Sequence, residues 1–196
     1  MQRLTIIGGG LAGCEAAWQA ARRGVEVDLF EMRPSRSGPA HKTGTLAELV
    51  CSNSLRGAAL TNAVGLLKEE LALLDSLIVT SARATAVPAG SALAVDRSKF
   101  SALVESRIAA DSRIALRREE IRAIPLDRPT IVSCGPLPSD EFLQSLDEVL
   151  SCDQAAQDDA TSRLHYYDAA SPIVAADSLD ESQMYRKSRY DKSDPS

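Results

Sequence analysis

Gly8, Gly10 and Gly13 fall at the spacing G-x-G-x-x-G, and an acid, Glu31, stands roughly twenty residues further on. Each position has a chemical reason. The first glycine makes a tight turn out of a strand. The second lets the backbone approach a diphosphate with no Cβ in the way, and the third lets helix and strand pack closely. The N-terminus of the following helix offers free N–H groups and partial positive charge to the phosphates. Glu31 can accept hydrogen bonds from both ribose hydroxyls, and its charge disfavours a 2′-phosphate there. The ligand so described is FAD or NAD. The plainer alternative is a glycine-rich turn with no ligand. Gly9, Leu11, Ala12 and Arg33 complete the expected cofactor-binding set.

The second candidate is Cys51 in "AELVCSNSLRG", residues 47–57. A cysteine before a polar turn, with Arg56 nearby, has the setting that lowers a thiol's pKa and makes it a nucleophile. Spacing alone favours a small buried hydrophobe instead. Cys14 and Cys134 read as buried packing, and Cys152 as incidental. The cysteines show no CxxC pair and no zinc spacing, and neither His41 nor His165 has a metal-ligand partner, so no metal site is expected. His41, beside Lys42, could meet a phosphate or a folate carboxylate, or simply be solvated. Arg186, Lys187, Arg189 and Lys192, interleaved with Tyr185 and Tyr190, have the composition that meets RNA phosphates and stacks bases; a solvated tail is the equal alternative.

These residues need a scaffold, and the pattern supplies one. Leu4 to Ile7 reads as a buried strand and Leu11 to Arg23 as a helix, with Ala12, Ala16, Trp18 and Ala20 near one another and Gly24 as its stop. Val25 to Phe30 is the next strand. This is a βαβ unit with parallel strands. Residues 32–45 form a long loop, a functional candidate by its length. Asn62 to Val79 reads as one helix with Val64, Leu67, Leu71, Leu74 and Ile78 in a stripe. Ala84 to Val95 reads as strand, turn, strand. Asp96 caps a helix with Phe100, Leu103, Val104 and Ile108 on one face. Ile114 to Leu116, Ile121 to Ile124 and Thr130 to Ser133 read as strands. Ser139 caps a last helix with Leu143, Leu146 and Val149 as its buried stripe.

The expected class is therefore α/β. Residues 1–150 are a Rossmann-like FAD-binding domain with a parallel sheet and inserted helices and strands. Residues 151–196 are a polar linker, 151–162, and the start of a smaller, incomplete α+β region. The chain is 44% hydrophobic and 25% charged, with 4% aromatic residues and a net charge of -5. That is a globular composition with an aliphatic core, and it argues against wholesale coating of nucleic acid. With no signal peptide and no long apolar run, a reduced, cytoplasmic protein without a membrane segment is expected.

In order along the chain, "IIGGGLAGCEAAWQAARRGVEVDLFEMRP", "LAELVCSNSLRG", "TNAVGLLKEE", "VPAGSALAVDR", "CGPL", "YYDAASPIV" and "KSRYDK" resemble the blocks of the folate- and FAD-dependent tRNA (uracil-5-)-methyltransferases, once called the glucose-inhibited division protein Gid. The resemblance implies FAD on the βαβ unit, methylenetetrahydrofolate as carbon donor, NAD(P)H as electron source and a T-loop uridine of tRNA as target. It implies that Gly8, Gly10, Gly13 and Glu31 bind the ADP half of FAD and that Cys51 is the reactive cysteine. Family members are about twice this length. A second functional cysteine and most of a second domain are expected beyond "SRYDK". Ser133-Cys134-Gly135 stands where Ala-Thr-Gly is common in such flavoproteins. Two readings follow: a short relative or fragment of the methyltransferase, or a catalytically incomplete Rossmann module with a nucleotide-, RNA- or protein-binding role. Either way, faces meant for the missing half should favour self-association or a partner.

Overall fold

The computed structural model of the chain describes residues 3–38, 40–135 and 138–152. The expectations for the linker at 151–162, for His165, for the basic cluster at 186–192 and for the "YYDAASPIV" and "KSRYDK" blocks lie outside the described residues. So does the side chain of Cys152.

Short apolar runs make a four-stranded parallel sheet of β1 (Arg3–Ile7), β2 (Glu26–Phe30), β6 (Ile114–Arg117) and β7 (Thr130–Val132), in the order β6-β2-β1-β7. Leu4 pairs with Val27 and Ile6 with Leu29 along β1 and β2, and Val27 pairs with Ile114 on the far side. Alternation then puts Ile6, Val27, Leu29 and Ile114 on one face, in the main core. Helix α1 (Leu11–Arg22) joins β1 to β2, and Gly24, at φ +82, ends it in the left-handed conformation that a side chain disfavours. The buried side of α1 is Gly13, Cys14, Ala17 and Ala21, one step round from the expected group, and Ala12 is exposed.

Between β2 and β6 lies a large insertion. Its strands β3 (Ser54–Gly57), β4 (Ala86–Val87) and β5 (Ala92–Val95) form a small antiparallel sheet in the order β3-β5-β4. The expected hairpin is present, although it begins at Ala86 because Ala84 closes a helix. The expected single helix over 62–79 is two. Asn62 caps α2 (Ala63–Leu73), and Ser76 caps α3 (Leu77–Ala84) by accepting from the Val79 amide. The break is enforced from α1. Glu15 accepts from the Ser76 hydroxyl at 2.8 Å and the Ile78 amide at 2.9 Å, Trp18 Nε1 donates to the Asp75 carbonyl at 3.0 Å, and Asp75 sits at φ +57. The expected stripe is broken with the single helix: Leu67 and Leu74 are exposed, while Val64, Leu71 and Ile78 are half-buried.

Asp96 caps α4 (Arg97–Ala110) as expected, accepting from the Lys99 amide. Phe100, Val104 and Ile108 are fully buried on its inner face, while Leu103 is half-buried. Residues 121–124 form no strand. That segment crosses back to β7 as irregular chain, and the Ile124 amide donates to Ser145 of α5 (Asp140–Cys152). The buried anchor of α5 is Phe142, with Leu143, Leu146 and Val149 only half-buried. Among the described residues, no helix is long and apolar enough to cross a membrane, and no group of His, Cys, Asp or Glu could hold a metal ion.

Candidate functional site

The strand order places β1 between β2, reached through α1, and β7, reached last. In open parallel sheets, the crevice beyond the strand ends at such a reversal is where ligands sit. The glycine turn fills that point. The Gly8 amide donates to the Phe30 carbonyl at 2.8 Å, which ties the turn to the end of β2. Gly8 is at φ +108, and a Cβ there would lie 2.6 Å from the Ser133 carbonyl oxygen and 2.7 Å from the Cys134 backbone. A Cβ on Gly13 would strike the Gly8 carbonyl, and one on Gly9 would meet Leu46 at 2.5 Å and Glu31 Oε2 at 2.9 Å. Gly8 and Gly13 are required by close packing against backbone, while a Cβ on Gly9 would press on the buried side chains of Leu46 and Glu31. Gly10 is different: a Cβ there meets nothing within 4 Å.

Gly10 is also the N-cap of α1, and no side chain caps that end. No acid stands in the first turn. The amides of Leu11, Ala12 and Gly13 belong to the first turn, where no intrahelical acceptor exists. An open glycine in front of an uncapped helix N-terminus fits a diphosphate. The far wall is β7, where Ser133 Oγ donates to the Ile7 and Gly8 carbonyls at 2.9 and 3.1 Å, and Gly135 turns away at φ +73.

Glu31 ends up beside the glycine turn, only 5% exposed. Its Oε2 accepts from the Gly9 amide at 2.9 Å and from Arg33 Nη2 at 3.0 Å. Its Oε1 accepts from the Arg33 amide at 3.0 Å and from Arg33 Nε at 2.8 Å. Burial alone would raise this carboxyl's pKa. The hydrogen bonds and charge of Arg33, with the Gly9 amide, outweigh burial and hold it below the ordinary carboxylate range. Arg33 itself is 1% exposed. Its remaining arm, Nη1, donates to Glu48 Oε2 at 2.9 Å. Glu48 also accepts from the Lys42 and Thr43 amides, at 2.9 and 3.2 Å. Sequence reasoning missed Glu48. An acid fifteen residues from its partner in a loop has no periodicity to betray it.

The loop after β2 is thereby folded back over the turn. The Ala47 amide donates to the Gly9 carbonyl at 2.9 Å, Leu46 and Ala47 are fully buried, and Leu49 is nearly so. Arg118 holds the same loop from outside, donating to the carbonyls of Arg33 at 3.1 Å and Gly44 at 2.7 Å while paired with Glu105. Cys51 follows this anchored stretch and is exposed, which corrects the buried-hydrophobe reading of its spacing. The cation found against it is Arg97 rather than Arg56, and the contact is from Nη2 to the Cys51 carbonyl at 3.3 Å.

Cys14 is buried and donates to the Gly9 carbonyl at 3.3 Å; burial, with Glu31 nearby, pushes its thiol up to about 12. Cys134, expected to be buried, is half-buried at the crevice wall, and burial raises its thiol. His41 is not the solvated side chain that was the simple expectation. It is half-buried, its Nδ1 has no hydrogen-bond partner, and burial together with the Arg33 charge lowers its pKa.

Residues 3–196 match the family model described as "Glucose inhibited division protein A". A relative from Lactobacillus johnsonii named methylenetetrahydrofolate–tRNA-(uracil-5-)-methyltransferase TrmFO is 53% identical over 98% of this chain and 42% of its own length. Relatives of the same name from Heliobacterium modesticaldum and Geobacter sulfurreducens are 56% and 54% identical over 97% of this chain, again 42% of their own length. The chain thus spans less than half the length of the curated relatives it matches. Among solved structures, GidA of Aquifex aeolicus superposes with a TM-score of 0.55 at 16% identity, over 72% of this chain and 28% of the other, a likeness of fold. A match that runs from β1 to the last residue, over a fold of the same type, agrees with the resemblance read in the sequence blocks, and the chain belongs to the glucose inhibited division protein A family.

Proposed function

We propose that the chain is the dinucleotide-binding part of a flavin-dependent tRNA T-loop uridine C5-methyltransferase, with FAD as cofactor, methylenetetrahydrofolate as carbon donor and NAD(P)H as reductant. The observation that carries the reading is the seating of the Cys51 loop on the glycine turn through Ala47 and Gly9. One loop serves both the cofactor cradle and the candidate nucleophile. In this reading the backbone at Gly8, Gly9, Gly10, Leu11, Ala12 and Gly13 holds the diphosphate. Glu31 holds the adenosine ribose, with Arg33 behind it. Bound there, FAD would supply one-carbon and electron transfer. In this reading Cys51, exposed on the loop, would attack a pyrimidine ring presented from solvent. Buried Leu46, Ala47 and Leu49 keep water from the floor of the site.

The names of the relatives support the substrate assignment, and family membership supports the cofactor. The test has two stages. Titrating the purified chain with FAD should quench flavin fluorescence to a saturable endpoint. Isotope-labelled methyl transfer to tRNA lacking the T-loop methyl, with reductant and folate supplied, should then be lost in Cys51→Ala. No saturable FAD binding overturns the cofactor assignment. FAD binding with no transfer, even when the rest of a full-length relative is supplied, leaves only a nucleotide-binding module.

A further inference from the structure

We propose that Arg33 and Glu48 are positioning residues that join the ribose-gripping carboxylate, Glu31, to the loop that carries Cys51, so that occupancy of the dinucleotide site is transmitted to that loop. The proposal rests on the cofactor reading above only for what fills the site.

The argument is one of counting acceptors. A carboxylate offers about four lone-pair positions. All four of Glu31's are taken, by the Gly9 amide, the Arg33 amide, Arg33 Nε and Arg33 Nη2. Two ribose hydroxyls need places on the same oxygens. The two backbone donors are fixed by the turn and by the chain, so the donors that can yield belong to the guanidinium. Arg33 is 1% exposed, so bulk water does not solvate its charge. A buried cation that gives up one carboxylate must keep another, and the other is Glu48, already 2.9 Å from Nη1.

Glu48 is not a passive partner. It gathers the Lys42 and Thr43 amides, while its neighbours Leu46 and Ala47 are held by Glu105 and by the Gly9 carbonyl. A guanidinium shared between two carboxylates therefore becomes the partner of one when ribose arrives, and the loop from 42 to 48 is drawn more tightly. Cys51 lies three residues beyond. The same pair ties the loop to the glycine turn from inside.

Residue-resolved amide hydrogen exchange tests both halves. In the unliganded chain, Glu48→Gln should speed exchange at Leu46 and Ala47 by about tenfold or more while Phe100 and Val104 of α4 stay unchanged, which marks a local opening. Adding FAD to the parent chain should slow exchange at Leu46 and Ala47. In Glu48→Gln, FAD should still bind by fluorescence, but that slowing should vanish. Arg33→Lys keeps the charge and loses the fork that serves two acids. It should show the same loss of response, and it carries the comparison if Glu48→Gln fails to fold. Unchanged exchange in the unliganded variants overturns the brace. Equal FAD-induced slowing in parent and variant overturns the transmission. Absence of FAD binding to the parent sinks the cofactor reading instead, and the unliganded arm still decides the brace.

Discussion

Replacing Gly10 by alanine separates what the fold requires from what a ligand requires. The backbone at Gly10 is at φ -76 and ψ -169, open to any residue, and a Cβ there meets no atom within 4 Å. Gly10 is the N-cap of α1, where alanine is poorer than glycine by up to about 1 kcal/mol. Against that, losing glycine's freedom in the unfolded chain returns about 0.4–1 kcal/mol. The two nearly cancel, so the melting temperature should move by no more than about 3 °C for a chain of this size. A diphosphate drawn against this turn has no such tolerance. A methyl between it and the backbone removes one or two hydrogen bonds to a charged group, about 1.5–3 kcal/mol each. At about 1.4 kcal/mol per decade, the FAD dissociation constant should rise by roughly one to four decades. Differential scanning fluorimetry and flavin fluorescence on the same preparation read both numbers. An alanine variant that binds FAD within about threefold of the parent would refute the placement of the diphosphate at Gly10. A large fall in melting temperature would refute the claim that the fold is indifferent there.

Other outcomes follow from the same structure. Glu31 and Glu48 sit below their ordinary value of 4.5 in the fold, because Arg33 and backbone amides outweigh the upward push of burial. They bind fewer protons folded than unfolded, so the stability they add is present above pH 4.5 and is lost as pH falls through their folded values. His41 is lowered from 6.5 by burial and by Arg33. It too favours the folded state less as pH drops, now beginning at 6.5, and His41→Asn should flatten the melting-temperature profile just below 6.5. An unchanged profile would remove His41 from that account. In the native chain a thiol reagent followed by peptide mass spectrometry should label exposed Cys51 and spare Cys14, which is buried with its thiol at about 12. Equal labelling of the two without denaturant would contradict the packing of α1. Phe100→Ala empties a fully buried site on α4 and should cost about 3–5 kcal/mol, or about 6–20 °C in melting temperature. A loss under about 1 kcal/mol would mean that the site collapses freely.

The parts of this fold that were legible in the sequence are those whose causes are local. The unit of β1, α1 and β2 shows its strand runs, its glycine turn and its stop at Gly24 within thirty residues. Asp96 announces α4 by the cap it makes to Lys99, and the hairpin of β4 and β5 carries its Pro-Ala-Gly turn. The misreadings have distant causes. Nothing within 62–79 says that the helix must break, because the instruction comes from Glu15 and Trp18 on another helix. β3 has no strand signal in the sequence, since Ser54, Leu55, Arg56 and Gly57 offer only one apolar side chain and Arg56 takes φ +67. The periodic apolar pattern of 121–124 is too short to hold a strand against the crossing that the chain makes there.

The site divides along the same line. Gly8, Gly10, Gly13 and Glu31, the residues proposed to hold the dinucleotide, stand at a spacing that the sequence displays. The seating of the loop before Cys51 was not visible there, because it rests on the backbone amide of Ala47 meeting the carbonyl of Gly9, and backbone groups are the same in every residue. The side chains that stabilise this contact are Leu46, Glu48 and Arg33, none of which stands at a diagnostic interval from the others. A glycine at position 9 is the one trace left in the sequence, since a larger residue would collide with Leu46 and Glu31 together. Gly9 thus reports on the loop, where its neighbour Gly10, under the proposed function, reports on the ligand. Alanine at position 9 should therefore displace Leu46 and loosen the Cys51 segment even with no dinucleotide present, and alanine at position 10 should not.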